Sequence, residues 1–324
     1  MTRLSYRPVA PGEVGRAAEV MTAAFPREPQ DPQLTLYRWE HPRAGWSHGR
    51  FFAELEGKPV ALVEWHHGPW SKLPERDCYI EVWLDRAHKD EKLLTEIWTS
   101  IAEVAVTEGA RTLNAAAGED EPEVLKVLAQ LGYERDRTDR AWRLDLRRHG
   151  ERISADARAA QDLMAEVGIR LLALADWNDP SRYEKLHALS EMTRQDIPHS
   201  SPTLAQTLDD FMVRLGAPGN PHDRWWIALD AAKVVAMSHL TYPPSQGFVW
   251  TSYTCCHRAY RGRGIARAIK LQSLAQAVEL GVPEVRTDND AENTAMLHIN
   301  ETLGYDPMPG FVSFAKRLQA RALR

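Results

Sequence analysis

Apolar and polar residues alternate over residues 51–55 and 60–65, and Glu56-Gly57-Lys58 lies between the two runs. A period of two broken by a glycine turn predicts a β-hairpin. Residues 226–229 and 234–240 repeat the pattern, and residues 79–84 and 248–255 predict a third strand after each hairpin. The period then changes to that of a helix over residues 92–107 and 264–280, where Ile265, Ala268, Leu271, Ala275 and Val278 share one face. Gly109 and Gly281 stand where a left-handed stop belongs. A short strand, a second helix and a final strand complete each half.

The two halves also match in spelling. Leu131-Gly132-Tyr133-Glu134 returns as Leu303-Gly304-Tyr305-Asp306, an offset of 172 residues. At the same offset Gly109 falls on Gly281 and Arg86-Ala87-His88 on Arg258-Ala259-Tyr260. Upstream, Arg50-Phe51-Phe52-Ala53-Glu54-Leu55 resembles Arg224-Trp225-Trp226-Ile227-Ala228-Leu229. One α/β unit is used twice. The predicted architecture is two units of mixed, mostly antiparallel sheet flanked by helices. Residues 1–147 form the first, 148–167 a charged, alanine-rich connector read as helix, and 168–324 the second. The halves are expected to pack sheet to sheet, as a pseudo-dimer within one chain.

Composition narrows the function classes. Of 324 residues, 44% are hydrophobic and 26% charged, which specifies a folded chain. A net charge of -5 argues against a broad nucleic-acid surface. No apolar run approaches the ~18 residues of a membrane span, and the first residues, Met1 to Pro8, lack the apolar segment of a secretory signal. A cytoplasmic protein with neither membrane nor nucleic-acid partner is expected, as a monomer or homodimer. Cys78, Cys255 and Cys256 are an odd, sparse set that suits a reducing compartment. The two adjacent cysteines read as small apolar packing. His66-His67 lacks partners at metal-ligand spacing and reads as a solvated loop, so no metal is expected.

The segment from Thr254 to Ala266 carries the chemistry. A strand runs into Arg261-Gly262-Arg263-Gly264, and a helix begins at once. Glycines permit positive φ and close backbone approach, successive N–H groups form an anion nest, and the helix N-terminus adds its own donors. The arginines add charge. Arg267 stands where a dinucleotide fingerprint needs a third glycine or alanine, and the Gly-Lys-Ser/Thr ending of a P-loop is absent.

Arg261-Gly262-Arg263-Gly264-Ile265-Ala266 resembles the Arg/Gln-x-x-Gly-x-Gly/Ala acyl-CoA motif of the GNAT superfamily of N-acyltransferases. Asp288-Asn289-Asp290-Ala291-Glu292-Asn293, with Met296 and Leu303-Gly304-Tyr305, is similar to the family's second signature. The resemblance implies two tandem GNAT folds and an acetyl-CoA cosubstrate. It further implies transfer of an acyl group by direct attack of a primary amine on a small molecule or peptide. On the family pattern the N–H of Cys256 bonds the thioester carbonyl. Arg258 and Arg261 through Ala266 hold the diphosphate, and Asn289 and Asn293 the pantetheine arm, with helix capping the alternative for both asparagines. At the 172-residue offset the motif becomes Lys89-Asp90-Glu91-Lys92, and Asn293 becomes Glu121. The first half is therefore expected to keep the fold without the cofactor.

The resemblance thins at the reacting atoms. The family's tyrosine, seven residues beyond the motif asparagine, is Asn300 here, and the central strand 248–256 carries no carboxylate. His239 is the first candidate base, against a purely structural role, with Tyr253, His257 and Asp288 behind it. Asp196, in Gln195-Asp196-Ile197-Pro198-His199, resembles an Asp-x-Pro of tandem-GNAT relatives, and either recognises a cationic amine or shapes a turn. Trp225, Trp226 and Trp250 are candidate walls of the acceptor pocket. An acyl-CoA sensor without catalysis, and a scaffold that binds a protein through the first half, are the competing readings.

Overall fold

The computed structural model describes residues 3–199 and 202–318. The first half runs β1 (Leu4–Pro8), α1 (Val14–Ala24), α2 (Pro32–Glu40), β2 (Ser47–Leu55), β3 (Lys58–His67), β4 (Asp77–Leu84), α3 (Glu91–Thr107), β5 (Thr112–Gly118), α4 (Pro122–Gln130) and β6 (Glu134–Asp145). The connector is a helix, α5 (Leu146–Glu166). The second half runs β7 (Ile169–Ala173), α6 (Arg182–Arg194), α7 (Leu208–Leu215), β8 (Trp225–Asp230), β9 (Lys233–Thr241), β10 (Val249–Cys256), α8 (Ile265–Glu279), β11 (Glu284–Asp290), α9 (Thr294–Leu303) and β12 (Asp306–Arg317).

Among the described residues all twelve strands form one sheet, in the order β1-β2-β3-β4-β5-β12-β6-β11-β10-β9-β8-β7. The halves meet edge to edge by exchanging their last strands. β6 ends the first half in sequence yet runs antiparallel to β11, with Leu144 opposite Val285 and Asp139 opposite Asp290. β12 ends the second half yet lies on β5, with Phe314 opposite Ala115. The boundaries at 147 and 168 therefore do not divide the sheet, and one sheet replaces the expected packing of two. An alternating pattern fixes which face of a strand is buried but not which strand is its neighbour.

Each half's core is completed by the other. Val312 and Phe314 of β12 pack with Ile80, Leu94, Trp98 and Leu113. Leu144 of β6 packs with Leu240, Leu271, Leu274 and Val285. A further core between α6, α7 and β8 holds Leu186, Phe211, Trp225 and Ile227. Asp31, 3% exposed, joins the halves by accepting from the Ser245 and Gln246 N–H groups at 2.7 and 3.1 Å.

His66 and His67 belong to the end of β3 and not to a solvated loop. The ring of His66 stacks on Tyr79, and buried His67 stacks on Trp70 with centroids 3.6 Å apart. No helix among the described residues is long and apolar enough to cross a membrane.

Candidate active site

β10 and β11 pair in parallel only at Val249–Val285 and Trp250–Arg286. Beyond that a bulge between Thr251 and Tyr253 shifts the register of β10 on β9, and β10 and β11 part. The N–H of His257 bonds Val235 O on β9 at 2.7 Å. By strand alternation the N–H groups of Thr254 and Cys256 face the opposite, open edge. The gap holds a cavity of about 780 Å³.

At the mouth of this cavity Gly262 and Gly264 take φ of +74° and +77°, a region that disfavours side chains. Built Cβ atoms at either position meet nothing within 4 Å, so the space before them is open. Gly264 is the N-cap of α8 and offers no side chain, which leaves the first-turn N–H groups without an internal cap. Cys256, Arg261, Gly262, Gly264, Ile265, Ala266, Asn289 and Asn293 all line the cavity. Arg258 and Arg263 do not. Arg258 forms a bidentate pair with Asp196 at 2.6 to 3.0 Å, and Arg263 lies over the Tyr260 ring. Asn293 Oδ1 caps α9 by accepting from Met296 N–H at 3.3 Å, so the capping alternative holds for this asparagine.

The corresponding place in the first half is filled by its own side chains. Asp90 caps α3 and accepts from the Lys92 and Leu93 N–H groups, both at 3.0 Å. Lys89 and Glu121, the counterparts of Arg261 and Asn293, form an ion pair, and Glu121 also accepts from Gly118 N–H at 3.1 Å. Glu121 is 4% exposed, and the cavity beside it measures only about 180 Å³.

Around the reacting end the structure redistributes the expected roles. Asn300 is fully buried and does not line this cavity. Its Oδ1 accepts from Lys270 Nζ at 2.6 Å, and its Nδ2 donates to Asn289 Oδ1 at 2.8 Å. It is a bridge, not a donor to a leaving group. Lys270, which the sequence reading passed over, lines the cavity, and burial pulls its pKa down to about 7. Its only sequence signal was a lysine on the buried face of α8. His239 is 3% exposed and stacks on Trp225 with centroids 3.7 Å apart. Burial, reinforced by Arg214, lowers its pKa to about 3, which makes it a poor acceptor of an amine proton. Asp288 is the opposite case: burial raises its pKa, and it accepts from Trp250 Nε1 at 3.1 Å. Burial also raises Tyr253, whose hydroxyl bonds Thr193 Oγ1 at 2.9 Å, and takes the Cys255 thiol up to about 12. Neither cysteine is a poised nucleophile.

A second cavity of about 630 Å³ adjoins the first, and Ser252 and Tyr253 at the bulge line both. α2 of the first half, α7, His239 and Trp250 wall it. Trp225 does not: it is 1% exposed within the core beneath His239. Inward-facing positions of β8 alternate, and residue 225 falls on the packed face of α7. Nor does Asp196 face this cavity. It pairs with Arg258 and Arg261, which hold its pKa down to about 2, so it is no open receptor for an amine.

The sequence profile of the Acetyltransferase (GNAT) family matches residues 16–133 and 172–305. Among curated proteins none matches the chain. Among solved structures, a tandem GNAT protein from the clavulanic acid biosynthesis pathway is similar, with 15% identity and a TM-score of 0.74 over 97% of this chain and 98% of that one. A GCN5-related N-acetyltransferase from Sphaerobacter thermophilus shares 16% identity, with a TM-score of 0.66 over 97% and 95% of the two chains. At these identities the likeness shows the fold.

Proposed function

The chain belongs to the GNAT acetyltransferase family, and from that premise we propose that its second half moves the acetyl group of acetyl-CoA to a primary amine on a small molecule or peptide. The observation that carries this reading is the open nest at Gly262 and Gly264, beside a cavity between parted strands. Two glycines at positive φ, uncapped N–H groups of α8 and the Arg261 guanidinium suit a diphosphate. The gap beyond suits the pantetheine arm. When bound, acetyl-CoA supplies an acyl carbon activated as a thioester.

This chain's own groups do the rest. The Cys256 N–H, on the open edge of β10, donates to the carbonyl oxygen as negative charge develops there. The acceptor enters through the second cavity and meets the cofactor cavity at Ser252 and Tyr253. As the C–N bond forms and the C–S bond breaks, Asp288 takes the amine proton and Lys270 gives one to the departing thiolate. Burial raises the pKa of Asp288 and lowers that of Lys270 to about 7, which moves each from its ordinary value toward neutral pH.

Release of free CoA thiol across a panel of primary amines tests the proposal. Acceptor-dependent release is expected from the intact chain and not from Gly264→Asp. Tight acetyl-CoA binding with no release for any amine would favour the sensor reading.

A further inference from the structure

Among the described residues, two arginines line the cavity walled by both halves without an ion pair, exposed Arg38 on α2 and half-buried Arg214 on α7. Arg214, on α7, lines it beside His239 and Tyr253. Its Nη2 donates to Ser190 Oγ at 3.2 Å, and its guanidinium lies over the Phe211 ring. Its Nε is buried and makes no hydrogen bond among the described residues. The carboxylates nearby are engaged elsewhere. Glu191 pairs with Arg194 at 3.0 Å. The Asp210 carboxylate accepts from Thr207 N–H at 3.1 Å at the start of α7 and faces Arg43 at 3.9 Å. Asp31 caps α2 and holds the Ser245 and Gln246 N–H groups, and Glu28 lies beside Arg27 at 3.8 Å.

A half-buried guanidinium left without an anion is costly, and its place on a cavity wall suits an anionic partner from outside. The same cavity is apolar along Leu34, Phe248 and Trp250, and opens to the cofactor at Ser252 and Tyr253. We infer that the acceptor is an amino-acid-like molecule: a primary amine that reaches the bulge at Ser252, an apolar body, and a carboxylate that pairs with Arg214. The guanidinium matches a carboxylate in two parallel hydrogen bonds, a geometry that an ammonium or amide cannot reproduce. Because α2 supplies the facing wall, the first half serves as part of the acceptor site while holding no cofactor.

The identity of the cavity as the acceptor site rests on the proposed acetyl transfer, but anion recognition by Arg214 is measurable without turnover. The probes are amino acids with one to four carbons between amine and carboxylate, each paired with the amine that lacks the carboxylate. Titration calorimetry on the full chain, without acetyl-CoA, reads the discrimination. At least one amino acid is expected to bind about 10- to 100-fold more tightly than its decarboxylated partner, the range of a charge-assisted pair. Arg214→Gln should abolish that preference and Arg214→Lys should keep part of it, with circular dichroism verifying that both variants fold. Equal binding within every pair, or a preference that survives in Arg214→Gln, overturns the inference. Arg214-dependent binding with no acetyl transfer to any amine would uphold anion recognition while removing the proposed reaction.

Discussion

At Lys270 an ammonium is held inside the protein by one amide oxygen and the face of Tyr305, with Nζ 2.6 Å from Asn300 and 4.8 Å from the ring centroid. Burial disfavours its charged form and lowers its pKa from 10.5 to about 7. A donor must carry its proton to give it, so activity should fall as pH rises through about 7. With a weakly basic amine, whose own ionisation lies outside the window, kcat in the intact chain should show that alkaline limb. Lys270→Met should lower kcat by about 100-fold and flatten the limb. An unchanged limb would remove Lys270 from proton transfer. The glycine nest was legible in the sequence because positive φ confines residue choice to glycine. Lys270 was not, because its partner Asn300 lies thirty residues away on another helix and only packing brings them together. Asp196 illustrates the same limit: a carboxylate two residues before a proline gave no sign that two arginines of a distant turn would claim it.

Among the elements, β12 shows where a repeat misleads. The pattern located β2–β6, β8–β12 and the helices α3, α4, α5, α8 and α9, because alternation and helical periods are local properties, but it gave no place to β1, β7, α1, α2, α6 and α7. The hairpin of β8 and β9, the helix α8 and the connector α5 all lie within a few residues of their expected bounds. Strand exchange is not local, since β6 and β12 have the same alternation wherever they pair. Its energetic consequence is specific. Phe314, 2% exposed on a strand at the end of the sequence, packs in the core of the first half. Phe314→Ala should cost about 3–5 kcal/mol in denaturant unfolding. The accompanying loss of hydrogen-exchange protection should appear at Leu113 and Ala115 in β5, and not at β8. Loosening confined to the second half would contradict the exchange.

Over the whole molecule, the proposed division of labour between the two like halves rests on one turn in each. One turn kept its glycines and presents bare N–H groups to an open cavity. Its twin satisfies those donors with Asp90 and bars the entrance with the Lys89–Glu121 pair. The first half still contributes β6 beside the proposed cofactor cleft and α2 to the second cavity. Titration calorimetry of the intact chain with acetyl-CoA tests this division most directly. The account predicts one molecule bound per chain, at a site that Gly264→Asp eliminates. Two molecules bound per chain, or one whose affinity is unaltered in Gly264→Asp, would contradict it.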